Sequence, residues 1–105
     1  MGSFHILKSA DINLGVEEYL ATPGAVLLDV RTPQEYCEGH ISGSKNVPLQ
    51  AIGSMEPAVN QDVPLYVYCY SGARSRQAAA ILQRMGYTNV KNIGGIVAWT
   101  GKVEH

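Results

Sequence analysis

From Cys69 to Met85 the chain reads CYSGARSRQAAAILQRM: a cysteine, five residues that are mostly small or polar, and then an alanine-rich run. Cys69 is a thiol, and a thiolate is a strong nucleophile. Gly72 and Ala73 leave backbone N–H groups uncovered. Arg74 adds a permanent cation whose planar fork suits an oxyanion. Ser71 and Ser75 carry hydroxyl donors, and Tyr70 can wall a pocket. If a helix starts at this loop, its free N–H groups carry about half a positive charge and converge into an anion-binding nest. A thiol in that field ionises more easily than a free one with a pKa of about 8.5. The result is a nucleophile facing a pocket built for anions. The plainer alternative is that Cys69 is a small buried hydrophobe; loop, arginine and helix together favour chemistry. Arg76 either reinforces the anion field or is solvated, and Ser75 is alternatively the helix N-cap.

Such a nucleophile needs a strand before it and a helix after it. Tyr66 to Tyr68 is predicted as a buried strand, Ser75 to Met85 as a helix, and Gly86 as its stop. Upstream, a strand is expected at Phe4 to Leu7 and a helix through VEEYLA, capped by Asp11 or Asn13. Ala25 to Val30 is a continuous apolar run, as in a strand buried on both faces. Thr32, Pro33 and Glu35 spell a capping box, and Gly39 ends that helix. NVP is a short extended piece, with a modest helix around Leu49 to Met55. NVKNI is a last strand, followed by a Gly-Gly turn into a short helix at GGIVAW. Strands alternating with helices predict a mostly parallel sheet covered on both faces. In such sheets ligands bind beyond the carboxyl ends of the strands, where Cys69 is expected.

With 105 residues the chain forms one domain, residues 1–105, burying roughly 65% of its unfolded surface without help from metal or disulfide. A net charge of −1 argues against non-specific binding to nucleic acid or membrane surfaces. No apolar run approaches the roughly 20 residues that span a bilayer. The N-terminal segment lacks a secretory h-region, so the expected compartment is cytoplasmic. Cys37 and Cys69 lie far apart, and a structural disulfide is not expected in that setting. Cys37 and His40 in CEGH supply two metal ligands where structural zinc takes four, so no metal and no cofactor is expected.

Three segments carry a resemblance: LLDVRTPQEYCEGHISGSKNVPL (Leu27 to Leu49), YVYCYSGARS (Tyr66 to Ser75) and MGYTNVKNIGGIVAW (Met85 to Trp99). In that order, over nearly the whole chain, they resemble the signature segments of a single-domain rhodanese. The resemblance implies a rhodanese fold: an α/β/α sandwich around a five-stranded, mostly parallel sheet. It implies thiosulfate-type sulfurtransferase chemistry, with Cys69 as the nucleophile carrying a persulfide and Tyr70 to Arg74 as the active-site loop. The implied partners are a small anionic sulfur donor and a cyanide or thiol acceptor, a thioredoxin-like protein carrier among the candidates. Ser44 stands where the family often has alanine.

Asp29 and Arg31 occupy the D-V-R positions of the family. A buried Asp29 must be paired, with Arg31 the near candidate, so both are expected to be structural near the site. His40 titrates in a useful range, but sulfur exchange by a thiolate needs no general base, and it too is expected to be structural. Two other functions compete. A cysteine phosphatase or arsenate reductase also pairs cysteine with arginine, but its loop has five intervening residues, and here four separate Cys69 from Arg74. A thiol-based redox or sulfide sensor, or a partner-binding module, is the other.

Overall fold

The computed structural model describes residues 10–55 and 60–105; the strand expected at Phe4 to Leu7 lies outside them. In chain order the elements are α1 (Ile12–Ala21), β1 (Val26–Asp29), α2 (Pro33–Glu38), β2 (His40–Ile41) and β3 (Lys45–Asn46). A 3-10 segment (Leu49–Ser54) follows, then β4 (Leu65–Cys69), α3 (Ala73–Arg84), β5 (Val90–Gly95), a 3-10 turn (Ile96–Ala98) and β6 (Val103–Glu104).

The local signals act as their chemistry requires. Asp11 caps α1, accepting from the N–H groups of Asn13 and Leu14. Thr32 and Glu35 close a reciprocal capping box at the start of α2, with Pro33 in its first turn. The helix expected at Leu49 to Met55 is a 3-10 segment instead. Helix α3 begins two residues before Ser75, because Gly72 at φ +104° turns the chain and occupies the N-cap. Ser75 lies inside the first turn.

Among the described residues the main sheet has four strands, ordered β3-β1-β4-β5 and parallel throughout; β2 and β6 pair antiparallel as a separate ribbon. Against the five strands expected, the described residues supply four in the main sheet plus a small second sheet, and the strand expected at Phe4 to Leu7 lies outside them. The chain reverses sharply after α2, and His40 and Ile41 pair with the C-terminal segment rather than with β1.

Strand β4 is buried along its whole length, and its period of two divides its side chains between two clusters. Leu65, Val67 and Cys69 pack with Ala78 and Leu82 of α3. Tyr66 and Tyr68 pack on the opposite face with Ile12 and Val16 of α1. The sheet therefore lies between α1 and α3, and parity sends the last side chain of β4 toward α3. In β5 the register slips by one residue between Asn92, opposite Val67, and Gly94, opposite Tyr68. That bulge brings Gly94 and Gly95 beside the loop that leaves β4.

Candidate active site

Cys69 ends β4 with 1% of its surface exposed. The loop after it lies directly against β5: a Cβ at Gly95 would stand 2.1 Å from the Tyr70 carbonyl oxygen and 2.5 Å from Ser71 Cα. Only glycine permits that approach. Gly72 then reverses the loop so that its N–H points back at the sulfur. The Gly72 N–H donates to Cys69 Sγ at 3.0 Å and the Ser75 N–H at 3.3 Å; the Ser75 hydroxyl lies 3.4 Å away. Burial is the largest influence on the thiol and opposes its ionisation. The Ser75 hydroxyl and the N–H groups of Ser75, Gly72 and Ser71 together outweigh it, so the thiol lies below its ordinary value. The arrangement can hold a sulfur anion in a cage of dipoles.

The cation is used differently from the simplest expectation. Arg74 donates from Nη1 and Nη2 to the two carboxylate oxygens of Glu35, at 2.8 and 3.1 Å. Its fork is already filled, and it ties α3 to α2 across the mouth of the site. Arg74 in turn holds the Glu35 carboxyl well below its usual range, down to about 2, helped by the Thr32 N–H. Arg76 is exposed and, with Ser71, Gly72 and Gly95, borders a cleft of about 530 Å³ on one side of the loop. A second cleft of about 290 Å³ is bordered by Arg31, Glu35, Tyr70 and Val103. Tyr70 there is half exposed.

Asp29 and Arg31 meet at the end of β1. Arg31 Nε and Nη2 donate to the Asp29 carboxylate at 3.0 and 2.7 Å, and the Arg31 N–H adds a bond of 2.9 Å. Arg31 Nη2 also donates to the Gly39 carbonyl at 2.7 Å, fixing the end of α2. His40 stacks on Tyr36 with ring centroids 3.8 Å apart, and its Nδ1 lies 2.9 Å from the Tyr36 carbonyl. The chain thus gathers Cys69 at the end of β4, the short loop 70–72 and the first turn of α3 around one sulfur, while Asp29, Arg31 and His40 are engaged in holding α2. Cys37 is exposed and Cys69 buried, and both are free thiols.

Sequence reasoning missed two contributors. Glu35 was legible only as a helix cap, though it also binds Arg74. Asn92 was legible only as a strand residue, though its side chain reaches Ser75 Oγ at 2.6 Å and the Gly72 carbonyl at 3.3 Å. No local pattern marks Asn92; only the bulge and strand pairing bring it to the loop.

A family model for the rhodanese-like domain matches residues 15–102. The chain belongs to that rhodanese-like family. Among curated proteins, this rhodanese-like chain is 41% identical over 81 residues to a thiosulfate sulfurtransferase GlpE of Pseudomonas fluorescens, covering 76% of this chain and 74% of that one. It is 40% identical over 81 residues to the uncharacterized protein YqhL of Bacillus subtilis; the match takes in 76% of this chain and 64% of that protein's length. Among solved structures, a rhodanese with anions from E. coli superposes with a TM-score of 0.69 at 35% identity, covering 76% of this chain and 96% of that one. Among the described residues of the rhodanese-like chain, no helix is long and apolar enough to cross a membrane.

Proposed function

We propose that this chain is a sulfurtransferase, acting as a single domain, in which Cys69 carries sulfur as a persulfide. The observation that carries the reading is the sulfur of Cys69, enclosed by the N–H groups of Gly72 and Ser75 at 3.0 and 3.3 Å. Relatives at about 40% identity named sulfurtransferase and thiosulfate sulfurtransferase support the same class of activity.

The thiolate attacks the outer sulfur of thiosulfate or of a persulfide donor. A new S–S bond forms, the donor's S–S bond breaks, and its electron pair leaves with sulfite or with the donor thiolate. The charge of the persulfide moves to the terminal sulfur, which the loop N–H groups can hold. Cyanide or an acceptor thiolate then attacks that sulfur and leaves as thiocyanate or a new persulfide, returning the Cys69 thiolate. Of the loop residues 70–75, the backbone of Ser71, Gly72 and Ser75 stabilises the anion, Ala73 keeps the approach open and Tyr70 forms the rim. Arg74 braces the loop through Glu35. No step requires a metal, cofactor or general base. Asp29, Arg31 and His40 serve as supports. A thioredoxin-like acceptor in the cytoplasm fits this chemistry as a protein partner.

Mass spectrometry after incubation with thiosulfate tests the reading, with Cys69→Ser run beside the parent protein. The expected result is one added sulfur on Cys69, discharged by cyanide as thiocyanate and missing from the variant. No loading from either thiosulfate or a persulfide donor would overturn it. Reversible oxidation of Cys69 by peroxide, without sulfur turnover, would instead identify a redox sensor.

A further inference from the structure

The sulfur chemistry above gives no work to Asn92, a half-buried residue of β5. Its amide is nonetheless held at both ends. Oδ1 accepts from the Gly94 N–H at 3.0 Å, and Nδ2 donates to the Gly72 carbonyl at 3.3 Å. An N–H can only donate and a carbonyl only accept, so these two bonds fix which way the amide points. Oδ1 is thereby turned to the Ser75 hydroxyl, 2.6 Å away.

The Ser75 hydroxyl has one proton and several acceptors around it. Asn92 Oδ1 is at 2.6 Å, the Gly72 carbonyl at 3.1 Å, Cys69 Sγ at 3.4 Å and the Gly94 carbonyl at 3.5 Å. The shortest of these takes the proton. While Cys69 is a thiol this suits every group, because S–H donates to Ser75 Oγ and the hydroxyl donates to Asn92. When the S–H bond breaks and its proton passes to a solvent base, the thiolate can only accept. Ser75 can then serve the sulfur only by turning away from Asn92 Oδ1, which leaves two oxygens 2.6 Å apart with no proton between them.

We propose that Asn92 is a positioning residue that sets the acidity of Cys69 by competing with the sulfur for the Ser75 proton. It acts through Ser75, and its own hydrogen bonds go to Ser75, Gly72 and Gly94 rather than to the sulfur. The charged groups placed around the thiol are otherwise compensated: Arg74 of α3 by Glu35 of α2, and Asp29 at the end of β1 by Arg31. Arg76 of α3 is exposed to solvent. The hydroxyl proton is therefore the local element whose direction can change with the state of the sulfur. A persulfide, with its charge on the terminal sulfur, releases Ser75 back to Asn92.

The inference rests on Cys69 being the nucleophile, but its test reads a proton rather than sulfur transfer, so the two readings fail separately. The measurement is the rate of iodoacetamide alkylation of Cys69 against pH, in a Cys37→Ser background so that one thiol reports. Asn92→Ala is expected to lower the inflection and to raise the rate below it by about three- to tenfold, the span that one hydrogen bond commands. Asn92→Asp is expected to raise the inflection. In a Ser75→Ala background the Ala shift is expected to vanish and the Asp shift to shrink by at least half. An Asn92→Ala shift that is upward, absent, or unchanged without the Ser75 hydroxyl overturns the proposal. If Asn92→Ala does not fold, an Asn92→Asp shift equal with and without Ser75 overturns it instead.

Discussion

Two acidic side chains end neighbouring parallel strands, Asp29 on β1 and Cys69 on β4, and both are almost fully buried. Asp29 is compensated by a permanent cation: Arg31 grips its carboxylate with side-chain and backbone donors. Among the described residues Cys69 has no cation in hydrogen-bond contact; two N–H dipoles point at its sulfur and one hydroxyl lies beside it. A cation in contact cancels the charge and fixes the geometry, which makes a strut. Dipoles lower the cost of the charge without cancelling it, which leaves a lone pair to react.

The largest effect expected from breaking this contrast is on stability at Asp29. Asp29→Asn leaves Arg31 buried beside a neutral partner and should cost about 3–5 kcal/mol in urea unfolding. Cys69→Ser, which keeps an acceptor of similar shape, should change stability by about 1 kcal/mol or less while abolishing sulfur loading. A Cys69→Ser loss as large as that at Asp29 would mean that the thiol site is also a strut. Next in size is Gly95→Ala, whose Cβ would meet the Tyr70 carbonyl at 2.1 Å. Overpacking of this kind costs about 1–3 kcal/mol, and pushing the loop away should also slow Cys69 alkylation.

Ser44→Ala probes the opposite face of the sheet from Cys69, where Tyr68 is buried. The Ser44 hydroxyl accepts from Tyr68 at 3.2 Å and donates to the Ile41 carbonyl at 2.7 Å. Its removal takes the acceptor from the Tyr68 O–H, which keeps its bond from the Ile41 N–H, and should cost about 1 kcal/mol, read as a lowered urea midpoint with activity retained. The smallest effect belongs to Glu35→Gln, because the Arg74–Glu35 pair is about one-third exposed and such pairs contribute about 1 kcal/mol or less. The folded-state pKa of Glu35 is depressed to about 2 from an ordinary 4.5. Its contribution is therefore complete above pH 4.5 and disappears as pH falls through about 2. Acid unfolding of parent and Glu35→Gln should differ at pH 5 and converge near pH 2. A difference that persists at pH 2 would remove the pair from the account.

Much of the fold was legible because it is written in contiguous patterns. The Asp11 and Thr32 caps, the apolar run of β1 and the strand–loop–helix at Cys69 each depend on residues a few positions apart. The small β2–β6 ribbon shows the limit: His40 and Ile41 pair with Val103 and Glu104, more than 60 positions away, a pairing that no contiguous pattern announces. The start of α3 was displaced for a local reason, since a serine is a common N-cap and Gly72 took the position by adopting a left-handed φ.

At the site, sequence alone placed Cys69 between a strand end and a helix start and indicated which backbone would surround it, because a strand parity, a glycine and a helix start act over half a dozen residues. It also determined that Asp29 and Arg31, two positions apart at a strand end, are able to pair. Only tertiary structure decided that Arg74 faces Glu35, 39 positions away, rather than open space. Only tertiary structure decided that Asn92 contests the proton of Ser75, through a bulge between two strands. Hydrogen-bond partners are assigned by distances of a few tenths of an ångström, and those distances exist only once strands from distant parts of the chain have packed.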